Sequence, residues 1–172
     1  MPEVATVSGD STLEGALEPV RKNIRVRASA ARAFQVFTEG MDTWWPRMHH
    51  IGSSPMKRVV VEGRPDGAIY TDQEDGTACP WGTVLVWDPP HRFVFAWQIS
   101  SEWKYEPDLA KCSDVVVTFT PADDGTTLVE LEHRGIHKHG GAWLAMRAMV
   151  NAEGGWGTLL GLFGAIAEKE PA

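Results

Sequence analysis

Apolar and polar residues alternate one by one in the first patterned stretch of the chain. Ile24 and Val26 alternate with polar side chains, namely Arg21, Asn23, Arg25 and Arg27. A two-residue period is typical of a strand with one face in the core and the other in solvent. The pattern predicts a first strand beginning at Val20, after a flexible leader over residues 1–18 that has no sustained apolar period.

Two short helices are predicted after this strand. Ser29 can act as the N-cap of a helix over residues 30–37, which we expect to end at Gly40 in a left-handed conformation. A second, very short helix is predicted over residues 42–45. Pro46 ends it, because proline cannot continue the hydrogen-bonding pattern of a helix.

The middle of the chain predicts a meander of antiparallel strands. Turn signals separate the apolar runs at the spacing expected of an all-antiparallel sheet, with Asp75-Gly76 as a hairpin dipeptide and Pro89-Pro90 as a strand breaker. The predicted strands are residues 57–62, 68–73, 81–88, 91–99, 115–120 and 128–134.

The period changes to three and four residues over positions 141–168, which predicts an amphipathic C-terminal helix. Gly154 and Gly155 fall inside it and predict a break or kink there. A curved antiparallel sheet needs a cover for its concave apolar face, and this helix is the long amphipathic element left to supply it. The predicted fold is therefore α+β, a helix-grip arrangement of about seven strands around a long C-terminal helix.

A specific register is expected if the first strand lies beside the last. The outward Arg25 and Arg27 would then face Glu130 and Glu132 as cross-strand pairs of opposite charge.

Composition and charge narrow the classes of partner. The chain has 172 residues, the size of one ordinary domain, here residues 19–169, and its net charge is -7. An acidic protein has no excess positive charge to attract a phosphate backbone, so nucleic acid is excluded as a main partner. No apolar run approaches the roughly 20 residues of a membrane-spanning helix. We expect a cytoplasmic protein without a membrane contact.

Side-chain alternation also identifies the concave face of the sheet. On the last strand, Val129, Leu131 and His133 share the apolar face, whereas Glu130 and Glu132 share the other. The same rule turns further apolar residues of the sheet inward: Trp81, Leu85, Trp87, Phe93, Phe95, Trp97, Val115, Val117 and Phe119. The C-terminal helix faces them with Trp156, Leu160 and Phe163.

So many rings around one imidazole indicate either a ligand cavity lined by aromatic side chains or a filled core. The chain contains eight Trp, an unusual number for its length. We favour the cavity, with rings that stack on the ligand and His133 as its polar anchor. The candidate ligand-binding residues are Trp45, Trp81, Phe95, Trp97, His133, Trp156 and Leu160.

His133 is the sole candidate for acid–base chemistry, because an imidazole on an apolar face can exchange a proton with a ligand. The alternative is a core histidine satisfied by a backbone or Trp partner. His137 and His139 follow, but a strand end and a glycine intervene, so no metal site is expected. His49 and His50 lie in a polar loop and are predicted to be solvated.

Nucleotide and hydrolase motifs are absent from the sequence, and no cofactor is expected. Cys79 and Cys112 are too few for a disulfide framework and lack the basic neighbours that activate a thiolate. Both are predicted to be structural.

Several short motifs over about residues 20–168, in this order, resemble those of one known family. It is the family of activators of heat-shock protein 90 ATPase and their homologues, within the SRPBCC (START-like) superfamily. The motifs are Arg32-Ala33-Phe34, Trp44-Trp45-Pro46, Trp81-Gly82-Thr83-Val84, Asp88-Pro89-Pro90 with Arg92 and Trp97, Val129-Glu130-Leu131-Glu132-His133-Arg134-Gly135, and Gly155-Trp156 with Leu159-Leu160.

The resemblance implies the helix-grip fold and strengthens the expectation of a cavity. The leading hypothesis is a protein that binds a small hydrophobic or aromatic molecule between sheet and helix. Two alternatives stay open: a cyclase- or hydratase-like enzyme that uses His133 as acid or base, and an interaction protein that stimulates a chaperone ATPase. A homodimer or a chaperone contact also stays open.

Overall fold

The computed structural model describes residue 15 and residues 17–169, so the predicted leader lies almost wholly outside the described residues. Within residues 20–169, seven strands and three α-helices occur in chain order: β1 (Val20–Val26), α1 (Ala30–Phe37), β2 (Met56–Val61), β3 (Ala68–Gln73), β4 (Ala78–Asp88), β5 (Arg92–Trp97), β6 (Ser113–Pro121), β7 (Thr127–Arg134), α2 (Trp143–Asn151) and α3 (Trp156–Ala167).

The strands form one antiparallel sheet in the order β1-β7-β6-β5-β4-β3-β2. The sheet curls around the C-terminal helices, which confirms the α+β helix-grip fold. Three 3-10 turns connect the elements: Met41–Thr43, Leu109–Lys111 and Ile136–His139. No helix in the described part of the chain is long and apolar enough to cross a membrane.

The two short helices predicted between the first strands are only partly found. Ser29 caps α1 as expected, with its Oγ accepting a hydrogen bond from the Arg32 amide at 3.1 Å. The helix ends at Phe37 rather than Gly40, and Gly40 has a φ of -89°, which is not left-handed. The second helix is the 3-10 turn Met41–Thr43, which stops before the two tryptophans.

Trp44 explains why this second helix is so short. Its indole N–H donates to the Val36 carbonyl at 2.8 Å, and the side chain is buried. The side chain is therefore anchored back onto α1. Pro46 then prevents any further helical turn.

The pairing of β1 with β7 is confirmed, but the predicted charge pairs are wrong. Glu132 lies opposite Arg21 rather than Arg25, a displacement of four residues, and Arg25 lies opposite Leu128. An even displacement keeps every side chain on its predicted face and changes only its partner. The structure ends the pairing at Val26, where the Thr127 hydroxyl donates to the Ala28 carbonyl at 2.8 Å.

Leu85 does not point inward, contrary to the alternation rule. The register of β4 shifts between Val84 and Val86 against β5, and Leu85 is 36% exposed whereas Val84 is fully buried. A bulge inserts one unpaired residue, which reverses the alternation beyond it. An earlier shift, between Ile69 and Tyr70 of β3, leaves Trp81 unpaired, so Val84 rather than Leu85 takes the inward face. The shift at Leu85 then returns Trp87 to that face, where it contacts Phe34.

The C-terminal helix is bent into two parts, as the glycine pair predicts. Gly154 has a φ of +92°, and a Cβ at Gly155 would lie 2.3 Å from the Val150 carbonyl oxygen. Only glycine accepts both conditions without a backbone shift. The chain therefore turns sharply between α2 and α3.

The core lies between α3, α1 and the concave face of the sheet. Phe163 is fully buried there, with ring centroids 5.2 Å from Phe37 and 5.8 Å from Trp44. We expect Phe163→Ala to lower the free energy of unfolding by about 3–5 kcal/mol, because it leaves a cavity among these rings. Urea unfolding measures the loss.

Leu162 is the matched control, since it lies on the same helix and is 41% exposed. Leu162→Ala should change the free energy of unfolding by no more than about 0.5 kcal/mol. Equal losses for the two variants would contradict this assignment of the buried face.

Candidate functional site

A cavity of about 290 Å³ opens where the bend between α2 and α3 faces β4 and β5. The segment that follows the Met41–Thr43 turn forms its third wall. The lining residues are Trp45, Met48, His49, His50, Ile51, Trp81, Trp97, Ile99, Trp103, Met149, Val150, Gly154, Gly155, Trp156 and Leu159.

Four tryptophans form a continuous aromatic wall. Trp45 stacks on Trp81, with centroids 5.1 Å apart and planes 26° apart. Trp81 then contacts Trp97 edge to face at 5.9 Å, and Trp97 contacts Trp156 in the same manner at 5.6 Å. Because each ring is held by the next, the wall has a fixed shape.

Two hydrogen bonds fix the outer members of this wall. The Trp45 indole N–H donates to the His49 carbonyl at 2.8 Å, which holds the following loop against the ring. The Trp156 indole N–H donates to His133 Nδ1 at 3.1 Å. This second bond joins the first residue of α3 to the end of β7.

His133 belongs to a buried polar chain with Ser113 and His139. Ser113 Oγ lies 2.7 Å from His133 Nε2 and 2.7 Å from His139 Nε2, and the Ser113 amide donates to the same His139 nitrogen at 3.1 Å. Indole and amide nitrogens only donate, so His133 Nδ1 and His139 Nε2 must accept. The neutral His133 therefore donates from Nε2 to Ser113, whose hydroxyl donates to His139.

This environment keeps His133 neutral. Burial, with a smaller contribution from the neighbouring His139, lowers the pKa of His133 from 6.5 to about 3. Burial also lowers the pKa of His139. Both imidazoles therefore act as neutral hydrogen-bonding groups near neutral pH.

The structure brings four of the seven predicted ligand-binding residues to the cavity. Trp45, Trp81, Trp97 and Trp156 line it. Phe95, His133 and Leu160 are buried but lie outside the lining. His133 contacts the rings of Trp97 and Trp156, at 5.2 and 6.1 Å between centroids, so it supports the wall from behind.

Two histidines that the sequence predicts to be solvated line the cavity, where His49 is exposed, as predicted, and His50 is half-buried. His50 Nδ1 lies 3.1 Å from the Gly52 carbonyl, an acceptor only, so the neutral ring carries its proton there and leaves Nε2 as an acceptor. Burial lowers the pKa of His49. The position of His49 and His50, four and five residues after a wall tryptophan, is the sequence signal that could have found them.

The loop that carries His50 is fastened to the β3–β4 hairpin. Gln73 Oε1 accepts from the Ser54 amide at 3.3 Å, and the Ser54 hydroxyl accepts from the Asp75 amide at 3.2 Å. A Cβ at Gly52 would lie 1.6 Å from the same Gln73 oxygen. Gly52 thus permits the close contact that positions the His50 ring.

The two thiols carry no sign of activation. Burial and the carboxylates of Glu106, Asp108 and Asp114 raise the pKa of Cys112 to about 11, and burial also raises the pKa of Cys79. A thiol at such a pKa is protonated near neutrality and a poor nucleophile. Within the described residues, no group of three His, Cys, Asp or Glu side chains is placed to hold a metal ion.

Comparison with known proteins now identifies the family. Residues 27–168 match the family described as Activator of Hsp90 ATPase homolog 1-like protein. The chain belongs to this family. The resemblance drawn from the short motifs is therefore confirmed, over nearly the whole range in which those motifs occur.

Solved structures show the same fold. An anthrahydroquino-gamma-pyrone synthase, Txn09, is 34% identical, covers 87% of this chain and 96% of its own, and superposes with a TM-score of 0.63. The self-sacrificing resistance protein CalC from Micromonospora echinospora is 26% identical, with coverages of 91% and 98% and a TM-score of 0.61.

A protein from Nitrosomonas europaea, NE0264, is similar in fold alone, with 15% identity, coverages of 91% and 97% and a TM-score of 0.62. The comparison with curated proteins finds no match.

The buried histidine makes the fold sensitive to acid. Unfolded His133 binds a proton below pH 6.5, whereas the folded protein resists protonation there until about pH 3. Between these pH values the unfolded state holds more protons than the folded state. The free energy of unfolding therefore decreases as the pH is lowered, by up to about 1.4 kcal/mol per pH unit for this group. Urea unfolding at several pH values measures the slope.

The control is His133→Gln, which keeps a donor and an acceptor but does not titrate. We expect the free energy of unfolding of this variant to depend less steeply on pH, because the proton that His133 binds in the unfolded state is lost. His139 still contributes in the same direction. Identical slopes in the parent and the variant would show that His133 is not the responsible group.

Proposed function

We propose that the protein binds a planar aromatic small molecule in the tryptophan-walled cavity. The observation that carries the proposal is the continuous wall of Trp45, Trp81, Trp97 and Trp156 beside a space of about 290 Å³. Flat rings of a ligand can stack on such a surface, and small-molecule sites are mostly apolar concavities of this order of size.

The charge of the lining supports the same class of ligand. The lining residues include no Asp, Glu, Lys or Arg, and their ionisable side chains are His49 and His50. A site of this kind offers no opposite charge to a strongly charged ligand. Such a ligand would bind weakly, because burying an unpaired charge is costly. We therefore favour a neutral or weakly acidic aromatic molecule.

The names of two related proteins support a fused-ring ligand. Txn09, 34% identical, is named a synthase of an anthrahydroquino-gamma-pyrone, which contains fused aromatic rings. CalC is named a resistance protein. A role in making or sequestering an aromatic compound would be consistent with these names and with the cavity. We prefer it to the chaperone contact that the family name implies, because the cavity is where the rings and histidines converge.

Acid–base catalysis in the same cavity is the second candidate function. His50 supports it, since a neutral imidazole with Nδ1 held by the Gly52 carbonyl presents Nε2 as a base. The role expected for His133 stays a prediction, but its two ring nitrogens are already occupied by Trp156 and Ser113. His50 is the stronger candidate because it lines the cavity.

Filling the cavity tests the binding proposal. Val150 lines it from α2 and is 7% exposed, so Val150→Phe should place a ring in the space and weaken binding of a hydroxyanthraquinone by at least about tenfold. Tryptophan fluorescence quenching and calorimetry measure the dissociation constant.

Leu144→Phe is the matched control, because Leu144 lies on the same helix, is 52% exposed and lies outside the lining. It should bind like the parent. The proposal fails if the parent does not bind the probe, or if Val150→Phe retains the parental affinity with an intact near-ultraviolet circular dichroism spectrum.

A bound hydroxyanthraquinone tests His50 as a base. The visible absorbance of this probe shifts to longer wavelength when its phenol loses a proton, so the spectrum reports proton transfer to the imidazole. We expect His50→Gln to reduce the ionised fraction of bound probe several-fold, because Gln cannot take up the proton.

His137→Gln is the control, since the ring of His137 packs against Trp143 and lies outside the lining. It should leave the spectrum unchanged. An ionised fraction that is the same in the parent and in His50→Gln would exclude His50 as the acceptor.

A further inference from the structure

A tight turn between β5 and β6 brings one more tryptophan to the mouth of the cavity. The Trp103 amide donates to the Ser100 carbonyl at 2.8 Å, and the Ser100 amide donates to the Lys104 carbonyl at 2.7 Å. Ile99 and Tyr105 then pair as an isolated bridge. This pattern is a three-residue hairpin loop, in which Trp103 occupies the last loop position.

Trp103 has a left-handed backbone, with a φ of +64°. Glycine and asparagine favour this conformation, whereas a bulky side chain is a genuine outlier there. Such strain persists only where surrounding structure enforces it, and it is concentrated at functional sites. An unconstrained hairpin would be more stable with glycine at this position.

The turn is held from two sides. The Ser100 hydroxyl accepts hydrogen bonds from the amides of Glu102 at 3.3 Å and Lys104 at 3.2 Å. The Ser101 hydroxyl accepts from the amide of Ala142 at 3.1 Å, just before α2. These contacts fix the backbone that presents the Trp103 ring, so the strain is maintained rather than relaxed.

The ring of Trp103 differs from those of the other lining tryptophans. Each of the four wall rings contacts another tryptophan, whereas within the described residues Trp103 makes no ring-to-ring contact. It is 37% exposed, and the exposed side chains of Met48 and Met149 share the lining with it. An aromatic face is thus left open beside a cavity walled by rings.

We infer that Trp103 is a ligand-binding residue, whose ring stacks on the outer face of a planar aromatic molecule held against the tryptophan wall. The inference rests on the proposed binding function and adds a residue to it. The left-handed backbone and the open ring face together point to a use for this side chain in binding the ligand. The ligand must extend to the cavity mouth, which favours two or more fused rings over one.

The test separates binding from folding by substituting Trp103 with glycine. Trp103→Gly removes the ring and relieves the left-handed strain, so the thermal midpoint should be equal to or higher than that of the parent. Binding of the hydroxyanthraquinone should weaken by about tenfold. Trp103→Phe keeps a ring and should stay within about threefold of the parental dissociation constant.

Asp66→Gly is the matched control, because Asp66 is also left-handed, with a φ of +63°, but lies outside the cavity lining. It should leave the dissociation constant unchanged. Trp103→Asn provides a second variant that accepts this backbone, in case glycine loosens the turn.

The outcomes distinguish the two proposals. If the parent binds the probe and both Trp103→Gly and Trp103→Asn bind it equally well, the inference about Trp103 is overturned and the binding function stands. If the parent does not bind, the binding function itself is overturned. A thermal midpoint several degrees lower in both variants would show that Trp103 serves the fold, which also overturns the inference.

Discussion

The hydrogen bond from the Trp156 indole to His133 is the interaction on which the shape of the interior depends. It joins the first residue of α3 to the end of β7, so the helix meets the concave face of the sheet at a fixed point. Gly154 and Gly155 allow the sharp turn that this attachment requires. The helix below the turn fills the core, and the space beside the turn is the cavity.

This attachment is polar in an apolar interior, and hydrogen bonds through Ser113 extend it to His139. Ser113 Oγ accepts a hydrogen bond from His133 Nε2 and donates one to His139 Nε2. Each of these hydrogen bonds is stronger in the absence of water. His139 Nδ1 is buried without a hydrogen-bond partner among the described residues, so the chain ends at this ring. His133 therefore contacts the wall of the cavity from behind, through the rings of Trp97 and Trp156.

The cavity combines a rigid interior wall with an adaptable mouth. The wall rings fix one another, whereas Met48 and Met149 at the mouth are exposed and flexible. A rigid surface reduces the entropy lost on binding, and flexible thioethers accept variation in the shape of a ligand. The His50 loop, which contacts the neighbouring hairpin through Gln73, holds an imidazole at a defined position in the lining.

The sequence by itself determined the strands, the C-terminal helix, the glycine bend and the concave face, because these follow from local periodicity and from backbone conformations that few residues accept. It placed Val129, Leu131 and His133 on one buried face correctly. Only the tertiary structure decided the register of β1, the bulge at Leu85 and the difference between rings that line the cavity and rings that fill the core. Those features depend on contacts between residues far apart in the chain, and no local pattern encodes them.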